Sequence, residues 1–239
     1  MTPWPHPRIV AHRGGGALAP ENTLGAIRLG ASLGFRGVEF DVMLAGDGTP
    51  VLIHDETLER TTGARGKVCE TGYAELARLD AGNGERIPRF EDAIALCNAL
   101  GLWANIEIKP AQGFEAQTGA AVGAMTQELW KGKLPPVLSS FALESLEEAK
   151  RAAPPLPRGL LVDALPPDWE EMAKRFGCAS VHCNFKKISP DMVREVHSAG
   201  LALLLWTVNE PEDARRLLGW GADGLFTDAL DRIGPGFAA

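Results

Sequence analysis

Short apolar segments alternate with longer amphipathic segments along almost the whole chain, and this alternation limits the possible folds more than any other sequence feature. The short segments are predicted strands and the longer ones predicted helices, several of which stop at a glycine such as Gly101 or Gly177. Strands that alternate with helices favour a parallel sheet covered by helices. About eight such units in 239 residues predict an α/β fold, a closed (βα)8 TIM barrel, with an open doubly wound sheet as the alternative.

One segment interrupts this alternation. Residues 56–88 follow the predicted strand that ends in His54 and Asp55, and they are too long for an ordinary strand-to-helix connection. We interpret them as a small subdomain inserted over one end of the barrel, within a single domain of residues 1–239; a surface loop is the alternative. The predicted strands cover residues 8–12, 37–43, 50–54, 103–109, 137–141, 158–162, 180–184, 202–208 and 224–227. The predicted helices cover residues 22–33, 89–100, 114–130, 142–152, 168–176, 190–198 and 210–219.

Charge and cysteine content argue against several classes of protein. With 24 Lys and Arg against 31 Asp and Glu, the net charge is −7, and no block of basic residues predicts binding to nucleic acid or to an anionic membrane. No apolar run reaches the roughly 18 residues of a membrane span, and the first residues do not resemble a secretory signal. Because the four cysteines form no Cys-x-x-Cys motif, we expect reduced thiols in a cytoplasmic protein without stable membrane insertion.

Acidic side chains interrupt two predicted strands that a parallel barrel would make apolar on both faces. Strand alternation places Glu39 and Asp41 on one face of the second strand, and Glu107 and Lys109 on one face of the fourth. Three carboxylates close together are unfavourable unless a cation neutralises them. Oxygen ligands of this kind suit one divalent cation, Mg²⁺ or Ca²⁺; a buried network of salt bridges with Arg13 and Lys109 is the alternative.

Two of the five histidines, His12 and His54, end predicted strands beside these carboxylates, where the active sites of barrel enzymes lie. A pair of imidazoles that titrate near neutral pH suits an acid and a base, although each could also be a structural histidine. We expect His6 and His197 at the surface and leave His182 unassigned.

Taken together, the polar motifs resemble the glycerophosphodiester phosphodiesterase family from about residue 9 to residue 228. Each motif is weak alone, but their order along the chain makes the set specific. The first motifs are His12-Arg13-Gly14, Pro20-Glu21-Asn22-Thr23, Glu39-x-Asp41 and His54-Asp55-x-Thr57-Leu58-x-Arg60-Thr61-Thr62-Gly63. Those that follow are Ile106-Glu107-Ile108-Lys109, Trp206-Thr207-Val208-Asn209 and Gly221-Ala222-Asp223-Gly224.

The resemblance implies a (βα)8 barrel with an insertion after the His-Asp strand, and an enzyme that hydrolyses glycerophosphodiesters to glycerol 3-phosphate and an alcohol. By position, the resemblance implies that His12 and His54 are the catalytic residues and that Glu39, Asp41 and Glu107 are ligands of Mg²⁺ or Ca²⁺. It also implies that Arg13 and Lys109 contact the phosphate and that Phe141 and Trp206 line the pocket. Packing in the barrel core is the alternative for these two aromatic residues. Arg89 and Ala229 depart from the family pattern and leave the pocket rim and the preferred alcohol open.

Other functions stay open at this stage. A related barrel phosphodiesterase acting on lysophospholipids or sphingolipids would share these motifs. A Schiff-base aldolase would use Lys109 as its nucleophile. A protein that binds glycerophosphodiesters without cleaving them is the third alternative. The expected partner is a small-molecule glycerophosphodiester, with no nucleic acid, and the sequence leaves the oligomeric state undetermined.

Overall fold

The predicted alternation of strands and helices forms a closed barrel in the computed structural model, which describes residues 4–237. Eight strands pair in parallel in a ring, and the first closes it because Ala11 pairs with Val38 on one side and Ile9 pairs with Leu225 on the other. The (βα)8 barrel is therefore confirmed, and the open sheet is excluded. The strands of the described residues are β1 (Ile9–Ala11), β2 (Gly37–Leu44), β3 (Pro50–Leu52), β4 (Trp103–Ile108), β5 (Val137–Ser140), β6 (Arg158–Val162), β7 (Cys178–Asn184), β8 (Ala202–Trp206) and β9 (Gly224–Thr227).

The strand β3 differs from the prediction. It pairs antiparallel with the end of β2, where Val42 faces Leu52 and Leu44 faces Pro50, so it extends one barrel strand instead of forming one. A tight turn reverses the chain between them, with Gly48 at φ +82° and its N–H donating to the carbonyl of Ala45 over 2.8 Å. His54 therefore follows a hairpin strand and not a barrel strand.

The helices surround the barrel, and their ends follow local sequence signals. The Thr23 side chain caps α1 by accepting a hydrogen bond from the N–H of Ala26, and the predicted stops at Gly101 and Gly177 adopt φ +64° and +62°. The helices are α1 (Leu24–Ser32), α2 (Glu59–Thr62), α3 (Tyr73–Leu76), α4 (Phe90–Leu100), α5 (Glu115–Leu129), α6 (Leu143–Ala152), α7 (Trp169–Phe176), α8 (Pro190–Ser198) and α9 (Pro211–Gly219). Among the helices within residues 4–237, none combines the length and the hydropathy of a membrane-spanning segment.

Residues 56–88 contain α2 and α3 and pack around an apolar cluster that is distinct from the main core. Leu58, Val68 and Leu76 belong to this cluster, together with Met43 from the extension of β2. The main core lies between the barrel and the helices, and it contains the outward side chains of β2 and β4, such as Phe40 and Ile106. The division of the chain into one domain, residues 1–239, with an insertion at 56–88 stays a prediction.

The expectation that His6 lies at the surface is wrong. His6 is 8% exposed and stacks on Trp103, with 4.7 Å between the ring centroids. His197 is half-buried and its Nε2 lies 2.8 Å from Oδ2 of Asp223. His6 precedes β1, in a segment that sequence alternation does not assign to the core.

Candidate functional site

Nine side chains singled out from the sequence line one cavity of about 140 Å³. Alternation along β2 and β4 turns the acidic residues toward the barrel interior, while Val38, Phe40, Ile106 and Ile108 face the helices. The remaining members stand at or just beyond strand ends, where barrel active sites lie. The nine are His12, Arg13, Glu39, Asp41, His54, Glu107, Lys109, Phe141 and Trp206.

The three carboxylates form a cluster that could hold a metal ion. Glu39, Asp41 and Glu107 each offer one oxygen, and these oxygens lie within 4.8 Å of one another. Burial, together with the negative charge of Asp41, raises the pKa of Glu39 to about 8 and that of Glu107 to about 7. Burial would also raise the pKa of Asp41, but nearby positive groups and a hydrogen bond outweigh it and hold this pKa below its ordinary value. The protein alone therefore does not balance all three negative charges.

The salt bridges of Lys109 and Arg13 neutralise Glu107 and Asp41, whereas Glu39 lies 3.8 Å from Nε2 of His12. Nζ of Lys109 lies 3.1 Å from Glu107 and 3.8 Å from Asp41, and Nε of Arg13 lies 3.7 Å from Asp41. Oε2 of Glu39 accepts the backbone N–H of Arg13 over 2.9 Å, whereas its buried Oε1 has no hydrogen-bond partner among residues 4–237. An unpartnered buried carboxylate oxygen fits a hard divalent cation better than it fits a complete salt-bridge network.

Asn22 holds Asp41 in place, a role that sequence reasoning missed. Its side-chain Nδ2 donates to Oδ2 of Asp41 over 2.8 Å, and its Oδ1 accepts the backbone N–H of Asp41 over 3.0 Å. Asn22 adopts φ +58°, a left-handed conformation that asparagine tolerates better than most residues. The Pro20–Thr23 motif was recognised only as part of the family pattern.

His12 is anchored by Asp228, which sequence reasoning also did not assign. Its Nδ1 lies 2.6 Å from Oδ1 of Asp228, and its Nε2 lies 3.8 Å from Glu39. Asn209 fixes Asp228 by donating to its Oδ2 and accepting its backbone N–H. Burial lowers the pKa of His12, but the hydrogen bond to Asp228 and the charge of Glu39 outweigh burial, so the net pKa is raised.

His54 has a similar arrangement with a different partner. Its Nδ1 lies 2.7 Å from Oδ1 of Asp55, and Arg60 from α2 donates to Oδ2 of Asp55 over 2.5 Å. Burial lowers the pKa of His54, and the charges of Lys109 and Arg13 lower it further, against the opposing effect of Asp41. Both histidines thus use Nδ1 for a carboxylate and leave Nε2 for a ligand.

The basic residues suit a bound anion. Burial lowers the pKa of Lys109, but the carboxylates of Glu107 and Asp41 outweigh burial and hold this pKa above its ordinary value. The amine is therefore protonated at neutral pH and unsuited to the nucleophilic attack of a Schiff-base enzyme. Arg13 binds Glu21 through Nη1 over 2.8 Å, which fixes the guanidinium beside the carboxylate cluster.

Two aromatic residues stand at the mouth of the cavity. Phe141 is 47% exposed and meets Trp206 edge to face, with ring centroids 5.7 Å apart. Nε1 of Trp206 is buried and has no hydrogen-bond partner among the described residues. Exposure of Phe141 argues against packing in the barrel core for this residue.

Comparison with known proteins agrees with the fold and the motifs. The profile of the Glycerophosphoryl diester phosphodiesterase family matches residues 12–232. A glycerophosphodiester phosphodiesterase of Caldanaerobacter subterraneus is 36% identical over 232 residues, which cover 92% of this chain and 93% of that protein. A phosphodiesterase of Oleispira antarctica, solved with the product sn-glycerol-3-phosphate, superposes with a TM-score of 0.92 at 37% identity and 95% coverage of both chains. A glycerophosphodiester phosphodiesterase of Thermotoga maritima superposes with a TM-score of 0.77 at 26% identity, covering 95% of this chain and 96% of the other.

Proposed function

This chain is an enzyme of the glycerophosphoryl diester phosphodiesterase family, and from that premise we propose that it hydrolyses glycerophosphodiesters to glycerol 3-phosphate and an alcohol. The convergence of three carboxylates, two anchored histidines and two cations in one cavity carries this proposal. The bound sn-glycerol-3-phosphate of the Oleispira antarctica enzyme supports it. The four free cysteines fit the cytoplasm as its location.

In this proposal Glu39, Asp41 and Glu107 hold one divalent cation, Mg²⁺ or Ca²⁺. When bound, the cation would supply Lewis-acid chemistry by drawing electron density from the phosphate. Arg13 and Lys109 bind the phosphate oxygens through charge-assisted hydrogen bonds. Phe141 and Trp206 line the exit of the alcohol.

His12 and His54 move the protons of the reaction. The glycerol hydroxyl next to the phosphoester attacks phosphorus, one histidine takes the proton of that hydroxyl, and the other gives a proton to the departing alcohol. Water then opens the resulting cyclic phosphate. An attached hydroxyl is favoured over free water because its effective molarity reaches the order of 10⁵–10⁸ M when well oriented.

The route is tested with a substrate that lacks this adjacent hydroxyl. It should bind but turn over very slowly, and phosphorus NMR should detect cyclic phosphate during turnover of the natural substrate. Comparable kcat for both substrates, with no cyclic phosphate, would instead indicate direct attack by water.

The overall function is tested by a coupled assay of glycerol 3-phosphate release from glycerophosphodiesters that carry different alcohols, with and without EDTA. We expect turnover that EDTA abolishes and that added Mg²⁺ or Ca²⁺ restores. A lysophospholipid serves as a separate arm. Turnover of that substrate alone would move the assignment to lipid substrates, and full activity after exhaustive chelation would refute the cation.

A further inference from the structure

We propose that Asn105 and His182 bind a hydroxyl group of the substrate's glycerol unit at the inner end of the cavity. This inference rests on the proposed function and adds a subsite to it. Both residues line the cavity, and both are buried, at 2% and 0% exposure. Asn105 precedes Glu107 by two residues on β4, which places it deeper in the barrel than Glu107 and in register with Glu39 of β2.

Each of the two side chains has one polar atom with a partner and one without. Asn105 donates from Nδ2 to Oγ of Ser139 over 2.9 Å, and Nε2 of His182 lies 2.9 Å from Oγ of Ser180. Oδ1 of Asn105 and Nδ1 of His182 have no partner within residues 4–237. A buried polar atom without a hydrogen-bond partner destabilises the folded protein, so two of them in one cavity indicate a ligand that supplies the missing hydrogen bonds.

The fold holds the imidazole of His182 in this position. Gly159 on β6 makes the room, because a Cβ there would lie 2.6 Å from Nε2 of His182. The ring packs against Phe226, with centroids 5.4 Å apart. A larger residue at position 159 would displace the ring.

The chemistry of these groups selects an uncharged hydroxyl. Burial lowers the pKa of His182 to about 3, so the imidazole is neutral, and the amide of Asn105 carries no charge either. A hydroxyl can donate its one proton to Oδ1 of Asn105 and accept from the Nδ1–H of His182, whose Nε2 then accepts from Oγ of Ser180. A phosphate instead finds its cations, Arg13 and Lys109, beside the carboxylate cluster.

The glycerol unit fits this inner end better than the alcohol does. Every glycerophosphodiester has the same glycerol unit, whereas the alcohol varies and must leave through the open side, where Phe141 is exposed. The hydroxyl next to the phosphoester must stay close to phosphorus in the proposed reaction. The distal hydroxyl of glycerol is therefore the one assigned to Asn105 and His182.

The test compares a glycerophosphodiester with an analogue that has the same alcohol but hydrogen in place of the distal hydroxyl. In the wild type, kcat/KM should be about 10–100-fold lower for the analogue. In Asn105→Leu and His182→Phe this ratio should fall towards one, because activity drops on the glycerol substrate and stays constant on the analogue. Thr126→Val is the matched control, since it removes a buried hydroxyl that bonds only within α5, and it should keep the wild-type ratio.

A binding measurement separates this inference from the proposed function. Calorimetry should show that the wild type binds glycerol 3-phosphate about 10–100-fold more tightly than it binds the analogue without the distal hydroxyl. Asn105→Leu and His182→Phe should bind the two compounds with similar affinity. Equal affinities and equal rates in the wild type would overturn the subsite, as would variants that lose the same factor on both substrates. Absence of turnover with a preserved binding preference would refute the proposed reaction and support the subsite. Should either variant fail to fold, Asn105→Ser and His182→Gln replace them. In these variants the ratio of kcat/KM between the two substrates should fall only part of the way towards one.

Discussion

His12 and His54 each bind a carboxylate through Nδ1, so their Nε2 atoms are the ones available to a substrate. Replacement of either by alanine should lower kcat by about 10²–10⁴-fold, the usual contribution of a positioned acid or base. The kcat of the double variant should be only slightly lower than that of the less active single variant, because the two residues act as a unit. The coupled assay measures this, with His197→Ala as a control, since His197 pairs with Asp223. A near-wild-type kcat in His54→Ala would remove His54 from the mechanism.

Sequence reasoning found nine of the side chains that line the cavity, but it did not find the residues that hold His12 and Asp41 in place. Alternation of polar and apolar residues within a strand is a local signal, and it was sufficient for Glu39 and Glu107. The partner of His12 is 216 residues away, and only the closure of β9 against β1 brings Asp228 beside it. Asn105 was also missed, because an asparagine among apolar residues carries no charge that would mark it as unusual.

Among the elements, the short helix α2 within residues 56–88 contacts, through Arg60, the groups that hold two side chains of the cavity. Arg60 donates two hydrogen bonds to Glu21, both of 2.7 Å, and two to Asp55, of 2.5 and 3.1 Å. Glu21 in turn binds Arg13, and Asp55 binds His54. Arg60 is therefore a positioning residue for Arg13 and His54, the proposed phosphate-binding cation and catalytic histidine.

Arg60→Met should lower kcat by about 10–100-fold while the protein stays folded, as expected for loss of a group that orients functional side chains. Arg60→Lys should recover little, because lysine keeps the charge but not the forked geometry that bridges two carboxylates. Arg65→Met changes an exposed arginine of the same segment and should leave kcat unchanged. Circular dichroism and steady-state kinetics measure fold and rate, and an unaltered kcat in Arg60→Met would contradict the prediction.

The hairpin of β2 and β3 shows where prediction of elements failed and why. All nine predicted strands correspond to observed ones, but the third was interpreted as a parallel barrel strand. Parallel neighbours need a crossover of about a dozen residues or more, and only residues 45–49 separate β2 from β3. The Asp47-Gly48 pair is typical of a hairpin turn, so the sequence itself indicated an antiparallel β3. The regular alternation of strands and helices elsewhere in the chain favoured the wrong interpretation.

The segment before β1 provides a pH-dependent contribution to stability. Burial lowers the pKa of His6 from 6.5 to about 4, so the unfolded chain binds a proton at a higher pH than the folded chain does. The free energy of unfolding should therefore decrease as the pH falls from 6.5 towards 4, by up to about 1.4 kcal/mol per pH unit from this group. His6→Phe keeps a ring against Trp103 and should show a shallower decrease in urea unfolding over this range. Equal slopes in the two proteins would contradict the prediction.

At the scale of the whole molecule, the cavity depends on barrel closure because its lining residues extend from position 12 to position 226. The fold was predictable because strand and helix alternate regularly and each element carries its own boundary signals. The cavity also places three carboxylates where a folded protein would ordinarily place apolar side chains. Function and stability therefore compete at the centre of the barrel.

This competition predicts opposite effects of one substitution with and without the cation. In EDTA at neutral pH, Glu39→Gln should melt at a higher temperature than the wild type. Burial and the charge of Asp41 raise the pKa of Glu39 to about 8, so the wild-type carboxyl must take up a proton on folding, whereas the amide need not. With Mg²⁺ or Ca²⁺ at 100 times its dissociation constant, the wild type should gain about 2.7 kcal/mol, and each kcal/mol corresponds to about 2–4 °C for a chain of this size.

The variant should gain much less from the cation because it has lost one ligand, so the order of the two melting temperatures should reverse. Thermal melts of both proteins under both conditions measure this, with Glu128→Gln as a control, since Glu128 is exposed on α5. A wild-type melting temperature that does not respond to either cation would show that the three carboxylates are not a metal site. Reversal, by contrast, would show that the protein accepts a less stable barrel without the cation in exchange for a site that binds it.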